Sequence, residues 1–246
     1  MKSSDLPNII ALISRSYEPR LRPYMTYTQH GVMTFLALHL LYPESFPEKY
    51  FYISADENDQ AVGFAEFKLV AEKTGFMSYI CVAEHVRGQG VATSLIDHFV
   101  ISHQTLDRLE LDVFDDNSKA LRLYQNLGFG RLEQKTWLRR PLPHPSLPLS
   151  IPQLHTSMAT FAAYGFCEIP VKWRDNDIKL GRIGANVLRC FDLDSFSDDD
   201  LLAGAKATIP SLTEALTILT VGNAAALPAR TVTIARSNRL VKTCDR

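Results

Sequence analysis

Two glycines lie in the stretch of the chain best suited to chemistry, residues 87–93, which read Arg-Gly-Gln-Gly-Val-Ala-Thr. The apolar run at residues 77–82 precedes it and predicts a buried strand. Apolar residues at helical spacing follow it between 92 and 100 and predict an amphipathic helix. A glycine turn between a strand and a helix directs backbone N–H groups and the positive end of the helix dipole at one place. The stretch therefore predicts a phosphate-binding loop.

The spacing of these glycines excludes two common nucleotide-binding loops. The chain contains no Gly-x-x-x-x-Gly-Lys-[Ser/Thr] and no Gly-x-Gly-x-x-Gly. A loop of a third kind is therefore needed to explain residues 87–93.

A second motif lies downstream at residues 117–129, after an alternating segment at residues 109–114 that predicts a strand. Asn117 is suited to cap a helix, and Gly128 is suited to end it in the left-handed conformation. Between them, apolar side chains recur at helical spacing, so a helix that packs on the sheet is predicted.

Together the two motifs resemble those of the GCN5-related N-acetyltransferases. The first reads Arg-x-x-Gly-x-Ala at residues 87–92, and the second reads Asn-x-x-Ala-x-x-Leu-Tyr-x-x-x-Gly-Phe at residues 117–129. The resemblance covers about residues 1–140. It implies an α/β fold in which a mixed, mainly antiparallel sheet is flanked by helices and has a V-shaped cofactor cleft. Here the strands that splay apart would be residues 77–82 and 109–114.

The resemblance also implies that acetyl-CoA is bound as the acyl donor. Backbone groups of Ile80, Cys81 and Val82 would pair with the pantetheine arm. Asn117 would reach the cofactor or the amine, or serve only as the helix cap. The pyrophosphate would lie on N–H groups of the loop, which comprises Arg87, Gly88, Gln89, Gly90, Val91, Ala92 and Thr93. Arg87 would add a charge or be a solvated loop arginine.

Tyr124 falls at the position where the family has the tyrosine that protonates the leaving thiolate; the alternative is a core tyrosine. Transfer also needs a neutral amine, so a base is expected. Some family members have a glutamate on the strand before the loop, but residues 75–82 contain no carboxylate. Glu66 is the preferred base, and Glu110 and Asp112 are the other candidates. Cys81 would allow a covalent mechanism, but a strand cysteine is usually a small buried hydrophobe.

Composition narrows the class of protein further. The chain has 246 residues, 46% hydrophobic and 22% charged, with a formal net charge of −1. These values are typical of a globular domain and do not favour nucleic acid as a partner. No apolar run is long enough to span a bilayer, and no signal peptide is recognisable. The 4 cysteines and 7 histidines show no metal-ligand spacing. We therefore expect a cytoplasmic monomer or homodimer without a bound metal.

Proline content divides the chain into a transferase domain at residues 1–140, a linker at 141–152 and a C-terminal α/β extension at 153–246. Five prolines within the linker predict an extended segment. The extension has a faint echo of the second motif at residues 160–166, so a degenerate half without its own CoA site is one alternative. Too few residues precede Asp5 to form the first strand that is usual in the family.

Secondary-structure patterns add expectations for the remaining elements. In the transferase part they predict helices from about residue 5 and at 28–41, and a hairpin at 50–70. In the extension they predict a helix at 151–164, strands at 166–173 and 178–191, and a short helix capped by Ser197. A further helix from Pro210 to Leu216 and strands at 216–221 and 231–235 complete the predicted extension.

The sequence thus predicts an acetyl-CoA-dependent N-acetyltransferase that acetylates a small-molecule amine or a protein N-terminus directly. Two alternatives stay open: transfer of another acyl group, and a CoA-binding regulatory or scaffold protein without turnover. The identity of the acceptor is not readable from the residues.

Overall fold

The computed structural model describes residues 1–220 and 227–244, which form two compact units. The first comprises Met1–Glu18, Phe35–Gln134 and the described residues from Ser237 onward. The second comprises Pro19–Thr34 and the described residues between Lys135 and Arg236. Each unit therefore draws on segments that are distant in sequence.

The first unit has a mainly antiparallel sheet with the strand order β1-β2-β3-β4-β10. Its strands are β1 (Lys49–Ala55), β2 (Ala61–Ala71), β3 (Thr74–Val82), β4 (Arg108–Phe114) and the final part of β10 (Val232–Thr243). Only β3 and β4 are parallel, because a helix connects them. The helices are α1 (Leu6–Ser16), most of α2 (Val32–Leu41), α3 (Val91–Ser102) and α4 (Ser118–Asn126).

Helices cover both faces of this sheet. Leu95, Ile96 and Phe99 of α3 are buried against Ala65 and Phe67 of β2 on one face. On the other face, the Tyr79 side chain of β3 hydrogen-bonds the Ile13 carbonyl of α1, with 3.4 Å between the two oxygens. Because side chains alternate along a strand, β2 and β3 each contribute residues to two separate interiors.

β10 joins the sheet beside β4, although more than a hundred residues separate them in sequence. The two strands pair antiparallel from Ser237 opposite Phe114 to Thr243 opposite Arg108. Arg239 of β10 holds both oxygens of Asp112, at 2.6 and 2.9 Å, and one oxygen of Glu110 at 2.9 Å. These charge-assisted bonds fix the register of the last strand.

The second unit repeats the same plan, with the strand order β5-β9-β8-β7-β6. Its strands are the second part of β5 (Gly130–Pro141), β6 (Phe166–Trp173), β7 (Asn176–Ile183), β8 (Val187–Cys190) and β9 (Glu214–Thr220). Its helices are α5 (Leu154–Tyr164), α6 (Leu193–Ser197) and α7 (Asp199–Thr208). Again one pair, β8 and β9, is parallel, and helices connect it.

Three expectations for the extension are wrong. No helix runs from Pro210 to Leu216; residues 210–213 are turn and coil, and β9 begins at Glu214. The apolar residues of this stretch serve a buried strand, and periodicity alone does not distinguish that from a buried helix over so short a run. The strand predicted at 178–191 is two strands, separated by a turn at Gly184. Ser197 ends α6, and Asp198 caps α7 by accepting a hydrogen bond from the Leu201 N–H.

The proline-rich segment contains no helix or strand after Pro141 and lies in the second unit. Leu142 and Leu149 are buried, whereas Leu147 is exposed. The division of the chain into a transferase domain at 1–140, a linker at 141–152 and an extension at 153–246 stays a prediction. Among the described residues no helix is long and apolar enough to cross a membrane, and no three His, Cys, Asp or Glu side chains are grouped as metal ligands would be.

The arginine that fixes β10 should be important for stability. Arg239→Met leaves Glu110, whose side chain is only 9% exposed, without its partner from β10. Breaking such a buried pair typically costs about 3 kcal/mol, so urea denaturation should show a loss of that order. Lys172→Met is the control, because Lys172 and Asp177 form an exposed ion pair. Equal effects of the two variants would contradict this account of β10.

Candidate active site

The central feature of the first unit is a fork in its sheet between β3 and β4. The two strands pair only from Thr74 opposite Arg108 to Met77 opposite Leu111. β3 continues to Val82 and β4 to Phe114, but no further pairs link them. On its other side β3 stays paired with β2 as far as Val82 opposite Gly63. The sheet therefore splits between β3 and β4 beyond Met77, and these are the two strands that were expected to splay apart.

A β-bulge marks the point at which the fork opens. Glu66 of β2 lies opposite Tyr79, and Phe67 lies opposite Met77, so Ser78 is an extra residue in β3. A bulge bends its strand and increases the local twist. The bend falls directly after Met77, the last residue of β3 that pairs with β4. The bulge thus accounts for the divergence of the two strands.

The predicted phosphate loop follows the open end of β3. A 3₁₀ turn (Glu84–Val86) leads to Gly88 and Gly90, which have φ angles of +80° and +83°. Both angles are strained for residues that carry a Cβ. A Cβ at either glycine would meet no protein atom within 4 Å. The space over this loop is open, so the backbone is free for close approach by a ligand.

Gly90 caps α3, and the N–H groups of Val91, Ala92 and Thr93 are first-turn donors without partners inside the helix. The first turn carries no acidic residue, so the positive end of the dipole is not neutralised there. Arg87 is exposed, and its Nε donates to the Val82 carbonyl at 3.1 Å. Arg87 therefore ties the loop to the end of β3 and leaves part of its guanidinium outward.

α4 supplies the two predicted residues on the far side of the fork. The Asn117 side-chain oxygen accepts from the Ala120 N–H at 3.1 Å and caps the helix, which leaves its amide nitrogen for another partner. Tyr124 is buried and packs edge-to-face on Phe129, with 5.7 Å between ring centroids. Burial raises the pKa of Tyr124 well above its ordinary value, so its hydroxyl is protonated at neutral pH.

Glu66 lies on the α1 face of β2 and is buried at 2% exposure. Burial raises the pKa of Glu66 to about 7, against the opposing effects of the Lys68 charge and a hydrogen bond with the Ser78 side chain. Its Oε2 is buried without a hydrogen-bond partner, and Lys49 Nζ lies 4.0 Å from Oε1. A carboxyl group that titrates near neutral pH suits general base catalysis.

The other candidate catalytic groups are two ion-paired carboxylates and one protonated thiol. Glu110 and Asp112 are paired with Arg239, and Arg108 Nε lies 3.2 Å from Glu110. Cys81 is buried, and burial raises its pKa to about 12, so it is a thiol at neutral pH. Neither the paired carboxylates nor the protonated thiol is a ready base or nucleophile.

The side chains around Glu66 were not predictable from the sequence. Ser78 is the bulge residue, and Tyr79 interacts with Ser16 and Tyr17 at the end of α1. A bulge depends on the pairing of two strands, so the residues of one strand do not reveal it. Tyr24 and His30 belong to the second unit, where they bond Glu214 and the Ala162 carbonyl.

Burial of Glu66 should make stability depend on pH. The folded state binds the Glu66 proton more tightly than the unfolded state, because the pKa is about 7 when folded and 4.5 when exposed. Stability contributed by this proton is complete below pH 4.5 and lost as the pH rises through 7, by about 3 kcal/mol in all. Between pH 5 and 8 the wild type should therefore lose free energy of unfolding relative to Glu66→Gln, and urea denaturation measures this difference. Glu72→Gln, at an exposed position after β2, is the control; parallel pH curves for wild type and Glu66→Gln would contradict the assignment.

Comparison with known proteins agrees with this geometry. Residues 8–129 match the model of the acetyltransferase (GNAT) family. A GCN5-related N-acetyltransferase from Sphaerobacter thermophilus aligns with 100% of this chain and 95% of its own, with a TM-score of 0.63 and 12% identity. A protein from Thermoplasma acidophilum aligns with 98% of this chain and 97% of its own, with a TM-score of 0.55 and 13% identity. At such identities the two structures show a shared fold. No curated protein matches the sequence.

The matched segment contains both motifs, the bulge and the fork, and the fold over it is that of the family. Its members use acetyl-CoA as the acyl donor. Residues 8–129 of this chain are an acetyltransferase domain of the GNAT family.

Proposed function

We propose that the protein transfers an acetyl group from acetyl-CoA directly to a primary amine of a small molecule or a protein N-terminus. The observation that carries the proposal is the fork itself. The β3–β4 ladder stops at Met77, and the strand that leaves it ends in a glycine loop capped by α3. Backbone groups of β3 that β4 does not pair are thus followed along the chain by the N–H donors at the start of α3. In CoA the pantetheine arm is followed in the same way by the pyrophosphate.

In this proposal the cofactor is held mainly by backbone. Backbone groups of Ile80, Cys81 and Val82 pair with the pantetheine arm where β4 no longer pairs, apart from the Val82 carbonyl, which accepts from Arg87 Nε at 3.1 Å. The pyrophosphate binds on residues 87–93, where the first-turn donors of α3 and the positive end of its dipole act together. Asn117 caps α4 and turns its remaining amide toward the cofactor or the amine.

Two side chains carry the proton transfers. Tyr124, protonated at neutral pH, supplies a proton to the leaving thiolate of CoA. Glu66 removes one from the acceptor, because an ordinary ammonium with a pKa of about 10.4 is a poor nucleophile at neutral pH. A carboxylate with a pKa of about 7 is largely ionised at pH 8 and is a stronger base than an exposed glutamate.

The second unit provides no comparable cofactor site in this proposal. Its parallel pair, β8 and β9, is also connected through helices, α6 and α7, but the helix starts there are acidic. Asp192 caps α6, Asp198 caps α7, and Asp199 and Asp200 occupy the first turn of α7. These carboxylates already satisfy the helix donors and repel a phosphate. Acetyl transfer therefore belongs to the first unit.

The test is release of CoA from acetyl-CoA in the presence of aliphatic amines, amino sugars and peptides with free N-termini. Amine-dependent release with a new amide in the product supports the proposal. Turnover with propionyl-CoA or succinyl-CoA but not with acetyl-CoA would make the protein a transferase of another acyl group. Tight binding of CoA without turnover on any acceptor would instead support the non-catalytic alternative.

The glycine loop gives a prediction about affinity with an internal control. Gly90→Ala and Gly128→Ala both place a Cβ on a residue with φ above +80°, where no protein atom lies within 4 Å. Similar losses of thermal stability are expected from the two strained positions. Only Gly90→Ala obstructs the cofactor, so calorimetry should show acetyl-CoA binding at least ten-fold weaker, about 1.4 kcal/mol. Unchanged acetyl-CoA affinity in a folded Gly90→Ala variant would contradict binding of the pyrophosphate at this loop.

Tyr124 gives a prediction about rate. Tyr124→Phe keeps the ring that packs on Phe129 and removes the proton donor. We expect kcat to fall about 100-fold while acetyl-CoA affinity stays close to that of the wild type. Steady-state kinetics with a pre-steady-state check that chemistry limits turnover would measure this. A variant that retains the wild-type chemical rate would reduce Tyr124 to a packing residue.

A further inference from the structure

The strand β1 has a free edge. It pairs with β2 on one side, and among the residues that the structure describes no strand pairs with its other side. Such an edge presents unpaired N–H and C=O groups to any chain that can add a strand. Proteins commonly protect an edge with prolines, charges, bulges or a covering segment. The residues of β1 therefore decide whether another strand can pair there.

The hydrogen bonds around Lys49 show which backbone groups of β1 face this edge. The Glu48 carbonyl accepts from an N–H of β2 at 2.8 Å, so Glu48 directs its carbonyl toward β2. The Lys49 N–H instead donates to the Phe46 carbonyl at 3.0 Å, away from β2. Because backbone groups alternate in direction along an antiparallel strand, those of Phe51 and Ile53 also face the free edge. Neither of these two N–H groups has a backbone partner in the described part of the chain.

The central residues of β1 carry none of the usual protection. Residues 50–54 contain no proline and no charge, and the register shift of the β1–β2 pair falls only at the end of the strand. Lys49 does not protect the edge, because its ammonium lies 4.0 Å from Glu66 Oε1 and 4.8 Å from the centre of the Phe35 ring. Its charge is thus directed into the unit and away from a neighbouring strand.

The edge strand of the second unit, β6, is protected where β1 is not. Pro170 at its centre has no N–H to donate. Glu168 and Lys172 on either side of it are charged and exposed. By these criteria β6 is a poor template for another strand, whereas β1 is a good one.

A groove of about 240 Å³ follows the free side of β1. Residues 49–52 of β1 line it, and none of the described residues of β2 does. Apolar and aromatic side chains complete its wall: Met1, His39, Leu40, Pro43 and Phe46. Beside it, Leu41 and Tyr42 are 64% and 53% exposed. The edge therefore offers apolar surface for burial as well as backbone groups for pairing.

We propose that β1 is a dimer interface, at which the β1 strands of two copies of this chain pair antiparallel about a two-fold axis at Phe51. In this register Phe51 lies opposite the partner's Phe51, and Lys49 lies opposite the partner's Ile53. It is the register that opposes all three edge-facing residues, so the new ladder forms without breaking a bond between β1 and β2. The Lys49 N–H keeps its bond to Phe46, and the Lys49 carbonyl accepts from the Ile53 N–H of the partner subunit.

The side chains in this register favour a second copy as the partner. Tyr50 comes opposite the partner's Tyr52, and aromatic pairs across strands stabilise a sheet. Lys49, the only charged residue of the strand, meets the partner's Ile53 and no like charge. Directly opposite side chains share a face, so the partner's Ile53 comes beside Lys49 and enters the groove that Lys49 lines. One register thus pairs the backbone and fills the groove.

Sedimentation velocity of the full chain over a range of concentrations tests the proposal, and a dimer is expected. Ile53→Pro removes an edge-facing N–H but no bond to β2, and proline is tolerated on edge strands. We expect it to raise the dimer dissociation constant about 30-fold, because the two-fold axis removes two hydrogen bonds at once. Lys172→Pro, at an exposed position of β6, is the matched control and should stay as dimeric as the wild type.

Two charge variants test the register itself. Ile53→Lys places a like charge opposite the partner's Lys49, whereas Ile53→Glu places an opposite charge there. Both variants remove the same apolar side chain, so the separate subunits should lose similar stability. Ile53→Glu should dimerise about ten-fold more tightly than Ile53→Lys, and high salt should reduce the difference.

Amide hydrogen exchange gives a readout at single residues. The N–H groups of Tyr50 and Tyr52 face β2 and should be protected in monomer and dimer alike. Those of Phe51 and Ile53 should be protected only in the dimer, so their exchange should accelerate on dilution.

Three results would overturn the proposal. The first is a chain that stays monomeric at every concentration. The second is a dimer in which Phe51 and Ile53 exchange as fast as in the monomer, because its interface would lie elsewhere. The third is an equal dissociation constant for Ile53→Lys and Ile53→Glu, which would contradict the register about Phe51. If Ile53→Pro fails to fold, the charge variants and the exchange measurement still give the decision.

Discussion

The extra residue in β3 is the constraint on which the site depends. A regular ladder between β3 and β4 would satisfy every backbone group along the seam and leave no room for a ligand. The bulge at Ser78 ends that ladder after Met77 and leaves strand edges inside a sheet, where unpaired N–H and C=O groups are costly. In the proposed function these groups pair with an extended, polar ligand, the pantetheine arm.

Burial of Glu66 follows from the same layout. The side chains of β2 alternate between two faces, each covered by helices, so a carboxylate on an inward position loses its water. Desolvation then moves its pKa toward neutrality, and the nearby Lys68 charge limits the shift. By contrast, Glu110 and Asp112 lie on β4 beside β10 and meet Arg239. The two carboxylate environments, on β2 and on β4, thus separate a titrating group from a structural one.

Much of the first unit was predictable because its signals are local. The glycine loop, the Asn117 cap and the hairpin of β1 and β2 each depend on residues near one another in sequence. The fold of the matched segment and the donor were predicted from the two motifs and are confirmed. Long-range pairing was not predictable: nothing in residues 232–243 specifies β4 as their neighbour, and Arg239 gains meaning only once that register is known. The bulge at Ser78 was not predictable for the same reason.

The two units build the same plan with helix starts of different charge. Each has a parallel pair joined through a helical connection, beside antiparallel strands. In the first, the connection begins with glycines and an uncharged helix start, whose donors are open to an anion. In the second, Asp192 and Asp198 bond those donors within the chain, and Asp198 also accepts from the Trp173 indole at 2.8 Å. Carboxylates at a helix start supply the negative charge that stabilises its N-terminus, so in the second unit that charge comes from within the chain.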